Sequence, residues 1–571
     1  MRKTNQGKPP IPNSNVGPEA AFTDMAVNDP ANVEKFLKDV LFGEDGKMPP
    51  LMKKRLDNSF QDAKKGDALA QLLAGIACQE GVGVPKDTAE AVKWFRLSAR
   101  QGNAMAQYYL GLAYCFGDGA PLDRREAIKW LRLSSEQGVF LAHNALGLIL
   151  FKADSGAQDL AEATRLFRLS AERGDPQGQY CLGVALRKNP PTPQNQAESF
   201  KWIKKAAEHG LANAQYLAGE MCYIGDGVAQ DTQEAIRWFH LAMKQGHVDS
   251  HRKIGEFLII GEGVAKNIDE GIKLLRWAVE RGSKEAQFSL ALYKLEDKSK
   301  PSNLKEAVKL LKMAAQQGLP EAQVKLGQML KLGQGVPKNL DEARELFRLA
   351  AEKGYPTAQY EMGQLYLHGQ GVANDMTEAF KWFKLAAEQG DHLSQSDLAG
   401  LYFKGHGAPK DMNKAAHWYR QAAENGVYEA LFSFGVMNYL GLGMPVNRKE
   451  AMKWYSKASD LGDMRAQCAL GLNYYKGELL PRNAAEAFKL LEKSAQQGFG
   501  DAQFFLGLMY ASNDDGFEDE LAARKWFIAA ANQGHKEAVS YSQVIDFNSP
   551  NFIEELREEM IKRDNDNFEL H

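Results

Sequence analysis

The chain has 571 residues, of which 44% are hydrophobic and 25% are charged, an ordinary balance for a folded protein with a polar surface. Its formal net charge is −3, whereas a general nucleic-acid binder usually carries a basic excess, so we do not expect nucleic acid as a partner. The sequence contains no run of 18 or more apolar residues and no apolar segment near its start. We therefore expect neither a membrane span nor a secretory leader, and we predict a cytoplasmic protein, with export by another route as the alternative.

The first 65 residues differ in composition from the rest of the chain. Residues 1–30 are rich in Pro, Asn and Gly and are predicted to be disordered. Residues 31–65 contain two helix-like segments, which we interpret as a degenerate repeat. A repeat array needs a cap with a polar outer face, and this segment is predicted to be the amino-terminal cap.

From residue 66 onward, one glycine recurs every 36 residues without an insertion. These repeat glycines are Gly66, Gly102, Gly138, Gly174, Gly210, Gly246, Gly282, Gly318, Gly354, Gly390, Gly426, Gly462, Gly498 and Gly534. A fixed period of this length indicates stacked structural units. Each unit contains two segments with apolar residues at helical spacing, separated by a break. The predicted fold class is all-α: an α-solenoid superhelix of 36-residue helix-turn-helix repeats, with thirteen repeats over 66–534 and helical caps at both ends. Residues 535–571 are predicted to form the carboxy-terminal capping helices and tail.

The start of each second helix carries the clearest local signal. We number positions by counting residues after the repeat glycine. Position 21 is Asp or Asn in all thirteen repeats, and position 24 is Glu in eleven of them. This spacing predicts a capping box with Asp or Asn in the Ser/Thr role, and each cap is expected to contribute about 1 kcal/mol.

Two further positions predict how the helices pack. Position 28 is Trp or Leu in every repeat. We interpret this row as a buried ladder, and not as a functional aromatic row, because Leu replaces Trp freely and burial of such a side chain is worth about 1.5–3 kcal/mol. Position 9 is glycine in eleven repeats, with Ala291 and Ala399 in the other two. Because a glycine inside a helix costs about 1 kcal/mol relative to alanine, its recurrence predicts the close approach of a neighbouring helix.

These motifs resemble a known family. The stretch from Ala358 to Gly390 reads AQYEMGQLYLHGQGVANDMTEAFKWFKLAAEQG, which is similar to the pattern of Sel-1-like repeats. The resemblance covers residues 66 to about 545 and implies a right-handed, tetratricopeptide-like superhelix that acts as an adaptor or scaffold, often in bacteria. Some exported relatives carry a disulfide in each repeat. The five cysteines here are scattered, so we expect free thiols instead.

Several patterns could be mistaken for chemical sites. Eight loops contain Gly-x-Gly, but they join helix to helix and lack a following Gly-Lys-Ser/Thr, so we interpret them as turns. His247 and His251 have zinc-compatible spacing but no convincing third ligand, and we predict neither a metal nor a cofactor. Basic residues recur on the second helices next to Glu, which favours a salt-bridged solvent face over a track for an acidic polymer. No catalytic motif is present, so we predict that the protein is not an enzyme, although a site assembled from distant repeats stays open.

A candidate binding surface lies on the first helices. Positions 3, 7, 10 and 14 share one helical face and vary most in chemistry; they are largely polar in repeats 6–9 and largely apolar in repeats 1–3. The predicted binding residues are Leu69, Leu73, Ile76, Met105, Tyr109, Leu112, Phe116, Leu141 and Leu148. An exposed apolar patch of this kind marks an interaction surface. The alternatives are that the amino-terminal segment, including Pro9–Pro12, covers the patch, or that it is inter-repeat core.

The predicted function is therefore a non-catalytic scaffold or adaptor that binds segments of partner proteins. The alternatives are a dedicated regulator, inhibitor or sensor of one partner, an exported effector-type interaction protein, and, least favoured, a hydrolase. Phe505 and Leu508 form a smaller apolar patch in repeat 13, which suggests a homodimer through the terminal repeats.

Overall fold

The computed structural model describes residues 50–151, 157–188, 192–297, 301–512 and 516–564. Within these residues the chain forms 29 α-helices and no strand, so the predicted all-α solenoid of tandem helix pairs is confirmed. The chain divides into two compact units, an amino-terminal unit up to Asp297 and a carboxy-terminal unit from Lys298. The segment predicted to be disordered, 1–30, and residues 31–49 of the predicted cap lie outside the described residues.

The amino-terminal unit begins with the helix Pro50–Lys65 and continues to the first helix of repeat 7, where repeat 1 is the one that opens at Gly66. Its first helices are Ala68–Glu80, Ala104–Phe116, Phe140–Leu150, Pro176–Lys188, Ala212–Ile224, Val248–Ile260 and Lys284–Glu296. Its second helices are Thr88–Arg100, Arg124–Glu136, Ala157–Glu172, Pro193–Glu208, Thr232–Lys244 and Ile268–Glu280.

The carboxy-terminal unit begins with the second helix of repeat 7. Its second helices are Pro301–Gln316, Leu340–Glu352, Met376–Glu388, Met412–Glu424, Arg448–Asp460, Ala484–Gln496 and Glu520–Asn532. Its first helices are Pro320–Leu332, Pro356–His368, His392–Lys404, Tyr428–Leu440, Met464–Lys476 and Gly500–Ala511. Two further helices, Lys536–Ser542 and Phe552–Asp564, come after repeat 13 and bury Phe552 and Leu556 against it.

The predicted helix caps form in ten of the thirteen repeats. In repeat 1 the Asp87 carboxylate accepts a hydrogen bond from the backbone N–H of Glu90 at 2.9 Å. The capping-box prediction is wrong for the reciprocal hydrogen bond, in which the backbone N–H of the cap residue would donate to the Glu at position 24. The backbone N–H of Asp87 donates instead to the carbonyl oxygen of Cys78 in the first helix, at 2.8 Å, and the Glu90 carboxylate pairs with Lys93. Each cap residue therefore also ties the two helices of its repeat together.

Three repeats depart from this pattern. In repeats 3, 4 and 7 the second helix has 16 residues and begins one turn earlier than in the other repeats. Asp159, Asn195 and Asn303 therefore lie inside the helix and do not cap it. In repeat 4 Thr192 is the cap and accepts from the backbone N–H of Asn195.

The row that is buried in nearly every repeat lies at position 29, whereas position 28, predicted to form a buried ladder, is buried in five repeats and half-buried in the other eight. Apart from Tyr419, the position-29 residues are buried; they are Phe95, Leu131, Phe167, Ile203, Phe239, Leu275, Leu311, Phe347, Phe383, Tyr455, Leu491 and Phe527. Among the position-28 tryptophans only Trp238 and Trp454 are buried, and the others are half-buried. The indole N–H of Trp130, for example, donates a hydrogen bond to the Glu126 carboxylate at 2.9 Å.

The position-9 glycines allow the close approach that their recurrence predicts. A Cβ atom placed on Gly363 would lie 2.6 Å from the ring of Phe383, and one on Gly75 would lie 2.5 Å from the ring of Phe95. The neighbour is thus the position-29 side chain of the same repeat. The Gly-x-Gly loops are turns, as predicted. Both glycines of the repeat 2 loop have positive φ, and a Cβ on Gly119 would lie 2.1 Å from the carbonyl oxygen of Thr88 in the preceding repeat.

A ladder of buried glutamines, which the sequence analysis missed, joins successive repeats. At position 5 of repeat 2, the Gln107 amide donates to the carbonyl oxygen of Ala99 in repeat 1 at 3.2 Å. The amide of Gln137 in turn donates to Gln107 at 2.8 Å. Because buried amides must be hydrogen-bonded, the Gln107–Ala99 bond helps to fix the register in which repeat 2 stacks on repeat 1, and Gln137 holds the Gln107 amide from within repeat 2.

Candidate functional site

The nine predicted binding residues differ in how accessible they are. Leu69, Leu73 and Phe116 are exposed, at 60%, 45% and 47%. Five are half-buried: Ile76, Met105, Tyr109, Leu112 and Leu141. Leu148 is buried in the core of the amino-terminal unit, so the prediction of a surface contact there is wrong and the side chain belongs to the inter-repeat core.

A cavity of about 270 Å³ lies at the junction of repeats 1 and 2. Tyr109, Leu112 and Phe116 line it from the first helix of repeat 2, and Phe95 lines it from the second helix of repeat 1. The rings of Tyr109 and Phe95 stack with their centroids 5.1 Å apart. The stack holds the apolar surface of the cavity in place, and the exposed Phe116 lies at its edge. Three of the predicted residues thus form one concave site.

The polar groups around this cavity are acidic or neutral. Gln79, Thr88 and Asp118 complete its lining, and no basic side chain is among the described residues that line it. Burial raises the pKa of Tyr109, and the nearby Glu80 carboxylate raises it further, so the phenol is uncharged at neutral pH. The site therefore combines an apolar interior with negative charge close to its rim.

Leu69 and Leu73 belong to a different depression of about 520 Å³. It lies between the helix Pro50–Lys65 and the first helix of repeat 1, and Asn58, Ser59 and Asp62 line its other side. The structure therefore divides the predicted apolar patch into two sites.

Polar residues contact one another across successive repeats within repeats 5–7 and, separately, within repeats 8–10. Position 10 of one first helix meets position 7 of the next. The four pairs are Glu220–Lys253 at 2.9 Å, Glu256–Ser289 at 2.6 Å, Gln328–Glu361 at 2.8 Å and Gln364–Asp397 at 2.6 Å. The prediction that positions 7 and 10 of the polar face in repeats 6–9 are free for partner contacts is therefore wrong at these pairs, because the side chains already contact each other.

Asp397 gives the most readily tested of these pairs. Burial and the nearby Glu429 carboxylate raise the pKa of Asp397 to about 6, although the Gln364 amide opposes this shift. Because the pKa of Asp397 is higher in the folded state than in the unfolded state, the protein loses stability as the pH rises from the unfolded-state pKa, about 4, through the folded-state pKa, about 6. We expect Asp397→Asn, which keeps the acceptor for Gln364, to stabilise the protein by about 2 kcal/mol at pH 7.5 and by almost nothing below pH 4. Thermal unfolding of both proteins across this range measures the difference, and a gain independent of pH would contradict the assignment.

The two neighbouring histidines have structural partners. The His247 ring caps the first helix of repeat 6 by accepting a hydrogen bond from the backbone N–H of Ser250. It also stacks on the Tyr216 ring, with the two centroids 4.8 Å apart. The His251 ring stacks on Trp277 with a centroid distance of 3.6 Å. Within the described ranges no group of three or more His, Cys, Asp or Glu side chains could hold a metal ion. All five cysteines are free thiols. No described helix is both long enough and apolar enough to cross a bilayer.

Several basic residues of the second helices form the predicted salt bridges with Glu; they are Lys93, Lys129, Arg132, Arg168, Arg237 and Lys273. Lys93 pairs with Glu90 at 2.8 Å within one helix. Arg132, three residues after Lys129 in the same helix, forms a bridge between repeats 2 and 3, because its guanidinium pairs with the Glu162 carboxylate at 2.9 Å. In repeat 13, Phe505 and Leu508 are half-buried and pack against the cluster that contains Phe527 and Phe552, so the patch suggested for a homodimer is partly buried within the chain.

Comparison with protein families places the whole repeat region in one family. The Sel1 repeat family matches thirteen consecutive segments, from residues 68–103 to residues 500–535. The chain belongs to the Sel1 repeat family. The predicted resemblance is thereby confirmed. No functionally curated protein matches the chain.

Solved structures of Sel1 repeat proteins are similar to this chain. A protective antigen of uropathogenic Escherichia coli with an SLR fold is 28% identical, with 85% of this chain and 97% of that chain covered and a TM-score of 0.47. A Sel1 repeat protein from Oxalobacter formigenes is 30% identical, with 57% and 92% covered and a TM-score of 0.39. An immunity protein from Pseudomonas aeruginosa is 24% identical, with 35% and 74% covered and a TM-score of 0.25.

Proposed function

We propose that this Sel1 repeat protein is a non-catalytic scaffold that binds a segment of a partner protein at the junction of repeats 1 and 2. The observation that carries the proposal is the 270 Å³ cavity lined by Tyr109, Leu112 and Phe116. A concave apolar site with a few polar groups at its edge is the usual form of a recognition pocket. Leu141 lies on the same helical face one repeat further on, where it extends the apolar surface.

The chemistry of the cavity defines the partner segment. Its interior accepts one large apolar side chain, which would pack against the stacked rings of Tyr109 and Phe95. Asp118 at the rim favours a positive charge beside that anchor. The segment we propose therefore carries an aromatic or branched aliphatic residue next to Lys or Arg.

Binding of this kind depends on a few buried contacts. An anchor side chain that fills a desolvated pocket supplies most of the binding energy, while the surrounding contacts exclude water. Phe116 is 47% exposed in the free protein and would become buried beside the anchor. The acidic rim would mainly affect specificity and the rate of association.

A peptide-display selection against the immobilised full-length protein tests the proposal. We expect selected peptides to contain an apolar anchor next to a basic residue, and their affinity to fall at least tenfold with Phe116→Lys, because the new cation disrupts the apolar edge and repels the basic residue. Fluorescence anisotropy with a labelled peptide measures the affinity. Ile260→Lys is the matched control, since Ile260 is exposed at the same position 14 of repeat 6. Peptides that bind the Phe116→Lys protein as well as the unmodified one would refute this site.

A further inference from the structure

The helix Pro50–Lys65 has the position and register of a second helix. The amide of Gln71 donates to the carbonyl oxygen of Ala63 at 3.1 Å, just as Gln107 donates to Ala99 at 3.2 Å. Ala63 and Ala99 are one 36-residue period apart. The helix has 16 residues, as do the second helices of repeats 3, 4 and 7. It is therefore the second half of a repeat that precedes repeat 1.

The place where the first helix of that repeat would lie is the 520 Å³ depression between Pro50–Lys65 and repeat 1. Leu69 and Leu73, at positions 3 and 7, are exposed there at 60% and 45%. Their equivalents in repeat 2, Met105 and Tyr109, are half-buried. Repeat 2 follows a complete helix pair, whereas only the helix Pro50–Lys65 precedes repeat 1 among the described residues.

The sequence one period upstream of the first helix of repeat 1 is NVEKFLKDVLFG, residues 32–43. Phe36, Leu37, Val40 and Leu41 recur at helical spacing and form one apolar face. Residue 30 precedes Gly66 by one 36-residue period, so Val40 is at position 10 of this earlier unit. In repeats 5, 6, 8 and 9 this position contacts position 7 of the next repeat, and position 7 of repeat 1 is Leu73.

In this segment, polar residues occupy the positions that pack against the preceding repeat in repeat 2. Glu34 and Lys38 are at positions 4 and 8, and Lys35 between them is at position 5. In repeat 2 the residues at positions 4 and 8, Ala106 and Leu110, are buried against repeat 1. Charged residues at these positions are what the outer face of a terminal repeat requires.

Ser59 supplies an independent observation. It is at position 29, where the other repeats have Phe, Tyr, Leu or Ile, and its hydroxyl is buried with no hydrogen-bond partner among the described residues. In the internal repeats position 29 lies against position 9, as Phe383 lies against Gly363. The position-9 residue of the preceding repeat is Asp39. A carboxylate can accept a hydrogen bond of the kind that the Ser59 hydroxyl lacks among the described residues.

We propose that residues 32–43 form the first helix of a capping repeat, which lies on Leu69 and Leu73 with Asp39 accepting a hydrogen bond from Ser59. This docking covers the exposed apolar residues of repeat 1 with the chain's own sequence. It also removes Leu69 and Leu73 from partner binding, so the accessible apolar site begins at the Tyr109–Phe116 cavity. The inference is independent of the proposed function, because it concerns the other depression.

Thiol labelling of the full-length chain tests the docking. A maleimide should react at least tenfold more slowly with the thiol introduced by Leu73→Cys than with the one introduced by Leu122→Cys, since Leu122 is 72% exposed. Labelling of the unmodified chain corrects for the native cysteines. Adding Phe36→Asp and Val40→Asp to Leu73→Cys should raise its labelling rate at least tenfold. Adding Lys35→Asp and Lys38→Asp, which change the outer face, should leave the rate low.

The Asp39–Ser59 contact is tested in the same assay. Ser59→Phe alone should speed labelling at position 73, because the ring and the Asp39 carboxylate cannot share the space. Adding Asp39→Gly restores the pair found in the internal repeats and should return the rate to its slow value. Equal rates for Leu73→Cys and Leu122→Cys in the unaltered segment would overturn the proposal. Protection that disappears on dilution would also overturn it, because the groove would then be covered by a second copy of the chain.

Discussion

Replacing Gly363 by valine should destabilise the carboxy-terminal unit by about 3 kcal/mol or more. A Cβ atom at this position lies 2.6 Å from the ring of Phe383, and that ring is fully buried. The added methyl groups would force the two helices of repeat 9 apart, and each neighbouring repeat depends on that pair for its own stacking. Urea unfolding monitored by circular dichroism measures the loss, and hydrogen exchange should show that it begins in repeat 9.

Two variants separate packing from backbone strain. Gly354→Ala affects a glycine with φ of +85° and no atom within 4 Å of the new Cβ, so only the left-handed conformation is penalised, by about 1–2 kcal/mol. Gly363→Ala combined with Phe383→Leu adds a methyl group and removes a bulky ring, and we expect a loss below about 1.5 kcal/mol. A Gly363→Val protein no less stable than the Gly354→Ala protein would contradict the close-approach explanation.

Repeat 10 already contains a milder form of this substitution. Ala399 occupies position 9 there, and the position-29 residue, Tyr419, is half-buried, whereas Phe383 in repeat 9 is fully buried. Burial raises the pKa of Tyr419, and the hydroxyl of Ser433 opposes that shift, so the phenol is uncharged at neutral pH. One methyl group at position 9 thus accompanies a position-29 ring that remains partly exposed.

The repeat period, the helix caps and the position-9 glycines could be predicted because each is a local pattern that recurs in at least ten of the thirteen repeats. The choice between positions 28 and 29 could not be made in the same way. Both Trp382 and Phe383 are large and apolar, and adjacent residues on a helix differ by only about 100° in direction. Which of them is fully buried depends on where the first helix lies, and that is a tertiary property.

The polar face of repeats 5–10 shows a second limit. Variable polar residues at positions 7 and 10 suggested an open binding surface, yet Gln364 and Asp397 bond to each other across 33 residues. Variability does not distinguish a free surface from a contact in which both partners change together. Complementary pairs 33 residues apart, such as Glu220 with Lys253, are a signal that the sequence contains and that periodicity alone overlooks.

The division of the apolar patch could not have been predicted either. Leu73 and Tyr109 share position 7 and are both apolar. One lines the depression beside Pro50–Lys65, and the other lines the cavity over Phe95, because different elements precede them. The repeat period assigns equivalent positions to the two residues, but the neighbouring helix determines what each of them can bind.

Replacing Glu256 by alanine should destabilise the amino-terminal unit by about 3–5 kcal/mol. One carboxylate oxygen of Glu256 accepts hydrogen bonds from the Arg252 guanidinium at 2.9 Å and from the Ser289 hydroxyl at 2.6 Å. The Arg252 side chain is only 4% exposed, and its other carboxylate partner, Asp249, is more distant at 3.6 Å. Removing Glu256 leaves a buried cation without adequate compensation, and thermal unfolding at pH 7 measures the cost.

The pH dependence and a double substitution identify the cause of that loss. Burial acts to raise the pKa of Glu256, but the charges of Arg252 and Lys253 outweigh it and hold the pKa below its usual value. The stability that Glu256 contributes is therefore fully present above its unfolded-state pKa, about 4.3, and is lost as the pH falls through its lower folded-state pKa. The stability difference between the unmodified and Glu256→Ala proteins should be constant from pH 6 to 8 and shrink below about pH 4, the opposite trend to Asp397→Asn. Arg252→Met combined with Glu256→Leu removes both charges and should cost far less than Glu256→Ala alone. An equal loss in the double variant would mean that packing around Glu256, and not its pairing with Arg252, stabilises this junction.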